Sequence, residues 1–305
     1  MKTEMCCFFE KCMIIFIVHC CACYNVSMRK AAVIYDFDKT LCTKDMQEYS
    51  LIPSLGYENA GEFWDEVTEL SLRHHMDSIS AYLYVLQKKF AEAGKPLKKN
   101  DFHEPAGAIE LYPGVESWFR RINEYGRKAG FMIEHYIISS GMTEIIENTA
   151  IADQFRKIYA CSYYYNEAGT AEWPARIVNY TTKTQYLFRI NKQVLDENED
   201  AALNEYVDPA ERPVPFKRMV YIADGLTDVP CMRLVRMNGG KSIAVYNEQS
   251  ASARKTAEKL IHDGRADFMA CADYSDGSDM EVLMKKIIDH FKADVQLEEL
   301  EGKYR

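Results

Sequence analysis

The feature that most constrains the fold is a short apolar run that ends in two acidic residues. Residues 31–35 are uniformly apolar, and Asp36-Phe37-Asp38 follows them directly. Such a run is typical of a parallel strand buried on both faces, which carries functional side chains at its carboxyl end. Two carboxylates at positions i and i+2 beside a buried strand are unfavourable unless a positive group binds them. The sequence therefore predicts an α/β fold with a charged site at one edge of a sheet.

Three further apolar runs extend this prediction. Residues 136–138 stop at Ser139, residues 219–222 stop just before Asp224, and residues 242–246 follow a pair of glycines. Helical apolar periodicity occupies the intervening segments 115–125 and 187–194. Alternation of strands and helices is typical of a doubly wound parallel sheet, in which ligands bind beyond the carboxyl ends of the strands.

The segment 45–111 breaks this alternation. Its apolar residues recur at helical spacing, first around Phe63 and Val67 and then around Leu83 and Leu86. We therefore predict a helical cap at 45–111, inserted after the first strand, with 28–44 and 112–305 forming the core. A cap in this position would lie over the carboxyl edge of the sheet as a lid.

The first 27 residues differ from the rest in composition. They contain six of the ten cysteines, and their apolar stretch at 13–18 is short for a bilayer span, with Glu4 and Glu10 where a signal peptide would be basic. We predict an extension without a fixed structure, and a weak signal or membrane anchor remains the alternative. The four scattered cysteines of the body form no disulfide framework, which favours the reducing environment of the cytoplasm.

The overall charge narrows the class of partner. The chain has 305 residues and a formal net charge of −9. Nucleic-acid phosphates require clustered Lys and Arg, and no such cluster occurs in the sequence. We expect a small substrate rather than a nucleic acid, and the sequence does not indicate the oligomeric state.

The acidic pair suggests a metal ion. Magnesium is a hard cation that prefers oxygen ligands and is held by a few carboxylates, a carbonyl, waters and a substrate phosphate. The pair Asp36 and Asp38 suits such an ion. Taken alone, however, an Asp-x-Asp sequence is more often a solvated turn than a site.

The order and spacing of several motifs resemble those of the haloacid dehalogenase superfamily. This superfamily has an Asp-x-Asp-x-Thr motif after its first strand, a Ser or Thr after a second strand, a Lys that opens a helix, and paired acids after another strand. The matching residues occur here in the same order: Asp36, Asp38 and Thr40; Ser139; Lys183; Asp224 and Asp228. The resemblance implies a magnesium-dependent phosphatase that acts on a small phosphorylated metabolite.

The resemblance also implies catalytic roles. Asp36 would attack phosphorus and form an aspartyl-phosphate. Asp38 would first protonate the leaving oxygen and then deprotonate the hydrolytic water. Ser139 and Lys183 would bind the phosphoryl oxygens.

The same resemblance implies a ligand set for the metal. Asp36, Asp224 and the backbone carbonyl of Asp38 would ligate Mg²⁺, while Asp228 and Thr40 would support the site. The insertion after the first motif resembles the cap of the phosphoserine phosphatase branch. Asp45 occupies the position at which that branch keeps a Glu for the substrate's amino group.

Three departures leave the substrate open. Asp45 is shorter than the Glu of the branch, Ala223 replaces a Gly and Thr227 replaces an Asn, so another small phosphomonoester is at least as compatible as phosphoserine. A phosphomutase of the same superfamily remains an alternative within the enzymes. A non-catalytic binding protein on the same scaffold is the alternative outside them.

Overall fold

A seven-stranded sheet forms the centre of the molecule in the computed structural model, which describes residues 28–304. Its spatial order is β4-β3-β2-β1-β5-β6-β7. Neighbouring strands are parallel except for the antiparallel pair β3–β4. The strands are β1 (Arg29–Tyr35), β2 (Phe131–Met142), β3 (Lys157–Tyr165), β4 (Ala171–Arg176), β5 (Met219–Ala223), β6 (Lys241–Tyr246) and β7 (Phe268–Cys271).

Helices connect these strands and cover the sheet. The α-helices are α1 (Leu51–Ser54), α2 (Ala60–His74), α3 (Ser78–Glu92), α4 (His103–Gly107), α5 (Val115–Ala129), α6 (Thr143–Ile146), α7 (Lys183–Lys192), α8 (Asp200–Asn204), α9 (Val229–Met237), α10 (Ala251–His262) and α11 (Asp279–Gly302). Short 3₁₀ turns at Met46–Glu48, Lys99–Phe102, Ala152–Gln154, Phe216–Arg218 and Leu226–Asp228 complete the described elements.

The topology confirms the predicted doubly wound parallel sheet. The four strands predicted from apolar runs are contiguous at its centre, in the order β2-β1-β5-β6. The chain runs outward from β1 through β2, β3 and β4 on one side, and then returns to β5 on the other side of β1. This reversal creates a crevice outside the carboxyl ends of these strands, where ligands of such sheets bind.

Strand β2 is longer than its apolar run. Glu134 and His135 lie within it and are both buried. Glu134 forms an ion pair with Lys30 at 2.7 Å, and His135 lies between the Tyr35 hydroxyl and the Asn123 amide, at 3.0 Å from each. Each polar side chain therefore has partners that permit its burial within the strand.

The insertion after β1 contributes helices and no strand to the sheet, as predicted. Helix α2 begins after Asn59, whose side chain accepts a hydrogen bond from the Glu62 amide, and α3 begins after Asp77, which accepts hydrogen bonds from two amides of its first turn. These caps satisfy amide groups that lack partners within the helix. The two helices pack against each other and bury the predicted apolar faces.

The last helix also begins where the sequence predicts. Ser278 caps α11 by accepting a hydrogen bond from the Glu281 amide at 3.3 Å. Helix α7, in contrast, ends two residues before the apolar period 187–194 does, because Gln193 adopts a left-handed backbone conformation with a φ of 58°.

The predicted extension at 1–27 lies outside the described residues. Within 28–304, no helix combines the length and the apolar character that crossing a bilayer requires.

Candidate active site

Three neighbouring strands bring the predicted residues to one edge of the sheet. Tyr35, the last residue of β1, is level with Ile137 of β2 and with Ile222 of β5. The residues that follow therefore emerge side by side: Asp36 after β1, Asp224 after β5, and Ser139 near the end of β2. Parallel pairing in this register explains how residues about 100 positions apart in sequence come together.

Lys183 is the first residue of α7 and lies at the centre of the cluster. Its ammonium group is 3.1 Å from Asp36 Oδ1 and 2.7 Å from Asp228 Oδ1, and the residue is 1% exposed. Burial alone would lower the pKa of Lys183, but Asp228 and Asp36 raise it above its ordinary value. Lys183 is therefore a permanent buried cation that joins two acidic side chains.

Asp228 is held by more donors than any other acid of the cluster. Besides Lys183, the Tyr221 hydroxyl donates to its Oδ1 at 2.6 Å and the Thr227 hydroxyl donates to its Oδ2 at 2.7 Å. Three donors on one buried carboxylate hold it in a single orientation. Asp228 thus fixes the position of Lys183.

Oxygen atoms of Asp36, Asp224 and Asp228 lie within 4.8 Å of one another. Burial raises the pKa of Asp36 to about 6, with Lys183 lowering it and Asp228 raising it. Burial, together with Asp36 and Asp228, raises the pKa of Asp224 to about 8. One ammonium group does not offset three converging carboxylates, so the donor set fits a hard divalent cation such as Mg²⁺.

Asp38 lies near this group but is not part of it. Its Oδ1 accepts a hydrogen bond from the Met46 amide at 2.8 Å, which holds the carboxyl group in one orientation. Burial, followed by the charges of Asp45 and Asp36, raises the pKa of Asp38 well above its usual range. A carboxyl group in this setting holds a proton that it can donate.

Ser139 lies on the opposite side of Asp36 from β5 and is fully buried. Its hydroxyl oxygen accepts a hydrogen bond from the Gly141 amide at 3.0 Å. The hydroxyl donates to no acceptor among residues 28–304, so its hydrogen is available to a ligand oxygen. A side chain at Gly141 would collide with Met46 and crowd Asp38, so glycine permits the close approach of these segments.

A cavity of about 400 Å³ opens above the cluster. Asp36, Asp38, Ser139, Lys183 and Asp224 lie at its base, and side chains of the insertion close it from above: Asp45, Gln47, Trp64, Val67, Ile79 and Tyr82. This volume is at the lower end of the range for small-molecule sites.

Two of the predicted site residues make their contacts outside the acidic cluster. The Asp45 carboxylate lines the cavity but is paired with Lys39, whose ammonium group is 2.5 Å away. Thr40 is buried and does not line the cavity, and its carbonyl accepts a hydrogen bond from the Tyr274 hydroxyl at 2.8 Å. Thr40 therefore connects the loop after β1 to the segment before α11.

Apart from Asp45, motif spacing did not identify the residues of the cavity roof. Trp64 and Tyr82 each adjoin an apolar face that helical periodicity did reveal, at Phe63 and Leu83. The neighbouring apolar residues indicate that this part of each helix is buried. They do not indicate which side chain faces a ligand. Gln47 gave no signal, because a single polar residue in a short turn has no distinguishing pattern.

A family model described as haloacid dehalogenase-like hydrolase matches residues 33–233. The chain belongs to this family. The match spans the strands that carry Asp36, Ser139 and Asp224, as well as the start of α7 at Lys183.

Several known proteins are similar to this chain in sequence or in fold. An uncharacterized protein of Borreliella burgdorferi is 26% identical over 287 residues, which cover 84% of this chain and 96% of that protein. A probable phosphoserine phosphatase from Vibrio cholerae superimposes with a TM-score of 0.54 at 14% identity, over 87% of this chain and 67% of that one. A substrate-bound phosphoserine phosphatase superimposes with a TM-score of 0.50 at 14% identity, over 85% of this chain and 98% of that one. At this identity the two structures show a shared fold.

Proposed function

We propose that the protein is a magnesium-dependent phosphatase that hydrolyses a small phosphomonoester through an aspartyl-phosphate. The observation that carries this proposal is the position of Lys183, buried between Asp36 and Asp228 beside the Asp224 carboxylate. A phosphoryl group is an anion, and this constellation combines a nucleophile with fixed positive charge at the base of a cavity. Membership of a hydrolase family supports the same reaction class.

Asp36 is the proposed nucleophile. It directly follows β1 at the base of the cavity, and its Oδ1 is held by Lys183. Attack of a carboxylate oxygen on phosphorus forms the aspartyl-phosphate while the bond from phosphorus to the substrate's alcohol oxygen breaks. Two easier displacements then replace one difficult displacement.

Asp38 is the proposed general acid and base. Its raised pKa keeps the carboxyl protonated, so that it gives its proton to the departing alcohol oxygen. The resulting carboxylate then takes a proton from the water that attacks phosphorus, which releases inorganic phosphate and restores Asp36.

Lys183 and Ser139 are proposed to bind the phosphoryl oxygens. Lys183 brings a permanent charge, and the Ser139 hydroxyl has a hydrogen to donate. We propose that Asp36, Asp224 and the Asp38 carbonyl hold Mg²⁺, which offsets the charge that develops on the phosphoryl group. Asp228 supports the site by orienting Lys183.

Residues 45–111 are proposed to be the cap, and 28–44 with 112–305 the catalytic core. Helices α2 and α3 supply the cavity roof, which supports this division. We also propose a cytoplasmic location. It is supported by the free thiols of Cys42, Cys161, Cys231 and Cys271, the cysteines within the described residues.

The direct experiment is release of inorganic phosphate from p-nitrophenyl phosphate with and without Mg²⁺. We expect Asp36→Asn to lower kcat by roughly 10³-fold or more, because removal of a nucleophile abolishes the covalent route. Asp276→Asn, a change at an exposed acid on the protein surface, serves as the matched control. Equal activity of the Asp36→Asn and wild-type proteins would reject the proposal.

A second measurement tests the intermediate itself. Acid quenching during turnover should leave one phosphoryl group on the peptide that contains Asp36, detectable by mass spectrometry. Transfer of phosphate to a second position of the substrate, rather than to water, would instead identify a mutase.

A further inference from the structure

Tyr221 is the one polar side chain of β5, and it is fully buried at the centre of the sheet. It pairs with Ile34 of β1 on one side and with Ser242 of β6 on the other, so the register fixes its backbone. A buried tyrosine hydroxyl requires a hydrogen-bond partner. Here the hydroxyl donates to Asp228 Oδ1 at 2.6 Å. A hydrogen bond from a rigid strand therefore holds one oxygen of this carboxylate.

The same oxygen of Asp228 also receives the Lys183 ammonium group, at 2.7 Å. Lys183 in turn lies 3.1 Å from Asp36 Oδ1. The Thr227 hydroxyl engages the second oxygen, Oδ2, at 2.7 Å. The two hydroxyl groups together fix both oxygens of Asp228. As a result Asp228 faces Lys183, and Lys183 faces the proposed nucleophile.

A second position is within reach of Asp228. One of its oxygens lies within 4.8 Å of oxygens of Asp36 and Asp224, the acids proposed to hold Mg²⁺. A hard divalent cation attracts carboxylates and is bound more tightly as more of them join it. If Asp228 turned toward the ion, Lys183 would lose the partner that orients it toward the phosphoryl oxygens. The site therefore needs a group that keeps Asp228 on the side of Lys183.

We propose that Tyr221 is this positioning residue. Its hydroxyl keeps Asp228 paired with Lys183 and out of the coordination of the metal. Thr227 lies in the turn after β5 and lines the cavity, whereas Tyr221 lies inside the sheet, so the strand supplies the more rigid of the two contacts. This inference rests on the proposed phosphatase function and adds a residue that does not line the cavity.

Metal binding tests the proposal without turnover. Tyr221→Phe retains the ring and removes the donor, so Asp228 is free to approach the ion. We expect Mg²⁺ to bind this variant ~3-fold or more tightly than wild type in isothermal titration calorimetry, because a further carboxylate joins it. A merely structural loss would leave the affinity unchanged or weaken it. Either of those two results would overturn the proposal.

Tyr136→Phe is the matched control. Tyr136 is buried in β2 and its hydroxyl donates to Glu134 Oε2 at 2.6 Å, while the Lys30 ammonium group lies 2.7 Å from Glu134 Oε1. The control thus removes the same kind of hydrogen bond from a tyrosine, carboxylate and lysine group that does not line the cavity. It should leave Mg²⁺ affinity and kcat unchanged. Equally tight binding in the control would assign the effect to the sheet as a whole and contradict the proposal.

Turnover gives a second readout. Tyr221→Phe should lower kcat for p-nitrophenyl phosphate by ~10-fold with KM within ~3-fold, since Lys183 acts on the charge that develops during transfer. In the Asp228→Asn background the same change should lower kcat by less than ~2-fold, because Tyr221 acts through Asp228. An equal loss in both backgrounds would show that Tyr221 does not act through this carboxylate.

The two measurements separate this proposal from the phosphatase proposal. Tighter Mg²⁺ binding by Tyr221→Phe would support the positioning role even if p-nitrophenyl phosphate is not hydrolysed. Hydrolysis by the wild-type protein, together with equal Mg²⁺ affinity of wild type and Tyr221→Phe, would reject the positioning role alone. Absence of Mg²⁺ binding by the wild-type protein would reject both proposals.

Discussion

At the residue scale, the site holds like charges together in the absence of a metal. Asp224 lies beside Asp36 and Asp228, and its pKa is raised by burial and by both neighbours. Lys183 is engaged by Asp36 and Asp228 and gives Asp224 little relief. The arrangement is therefore less stable than a neutral one would be, a cost that natural proteins accept at functional sites.

We predict that Asp224→Asn stabilises the protein when a chelator is present. Replacing the acid with an isosteric amide should raise the free energy of unfolding by about 1–2 kcal/mol near pH 7, since the amide is not repelled by Asp36 and takes up no proton on folding. Urea unfolding followed by circular dichroism in EDTA measures the change. Asp276→Asn should leave the free energy unchanged, and a destabilised Asp224→Asn protein would show that Asp224 has a structural partner.

Magnesium should make the wild-type protein more stable than Asp224→Asn. A ligand present at ~100 times its Kd adds about 2.7 kcal/mol to the free energy of unfolding of the state that binds it. The wild-type protein should gain this amount when EDTA is replaced by Mg²⁺, whereas Asp224→Asn should gain much less. An equal gain in both proteins would show that Asp224 is not a ligand.

His135 makes stability depend on pH. Burial lowers its pKa to about 3, from an ordinary value of 6.5. Between these two values the unfolded chain binds a proton that the folded chain does not, so acid favours unfolding. We predict a loss of about 2 kcal/mol from this residue between about pH 7 and about pH 5.

The test is to compare wild type with His135→Gln by urea unfolding at both pH values. Glutamine can still bond to the Tyr35 hydroxyl and to Asn123, but it does not titrate. The variant should therefore lose less stability on acidification. Parallel pH curves for the two proteins would assign the acid sensitivity to other groups.

At the element scale, Glu281 connects two helices that cover the sheet. It lies in the first turn of α11 and is completely buried, and its Oε1 is 2.7 Å from Arg121 Nε of α5. Its Oε2 accepts a hydrogen bond from the Gly277 amide at 2.7 Å. Although burial acts to raise the pKa of Glu281, these partners and Lys285 lower it to about 2.

We predict that Glu281→Ala lowers the free energy of unfolding by about 3 kcal/mol, because it leaves Arg121 partly buried without its counter-charge. Thermal or urea unfolding measures the loss. Glu258→Ala removes an exposed ion pair with Arg254 and should cost less than about 0.5 kcal/mol. Similar losses in both variants would show that the α5–α11 contact does not depend on the buried pair.

The elements that could be predicted from the sequence are those whose apolar pattern is uninterrupted. Strands β1, β5 and β6 are short apolar runs, and their central position follows from burial on both faces. Strand β2 was underestimated because Glu134 and His135 interrupt its apolar run, and only tertiary partners explain their burial. Strand β7 was not predicted from the sequence, because it has four residues and lies at the edge of the sheet.

Some residues of the candidate site could be predicted from the sequence, and others could not. Side chains that follow a strand end have positions fixed by the sheet register, so the approach of Asp36, Ser139 and Asp224 follows from topology. The pairing of Asp45 with Lys39 depends on the path of a loop, for which the sequence carries no periodic signal. Thr40 does not line the cavity, so its supporting role stays a prediction.

At the scale of the whole molecule, core and insertion differ in how firmly they are packed. All five residues of β5 are buried, whereas Phe63 and Val67 are the fully buried residues among the fifteen of α2. Local opening needs little free energy where few apolar side chains leave the interior. The floor of the cavity is therefore rigid, and its roof is the part that can adjust to a ligand.

This difference yields a prediction for amide hydrogen exchange. Amides of β5 should exchange through global unfolding, whereas amides of α2 should exchange faster, through local opening. Mg²⁺ with orthovanadate, a phosphoryl mimic, should slow exchange in α2 and α3 by ~10-fold, because a ligand between floor and roof stabilises the closed arrangement. The Asp36→Asn protein, which lacks a proposed ligand of the ion, should show a smaller effect. If α2 and β5 exchanged at the same rate in the free protein, the insertion would open only together with the core, and closure of the roof over the substrate would be excluded as a separate step.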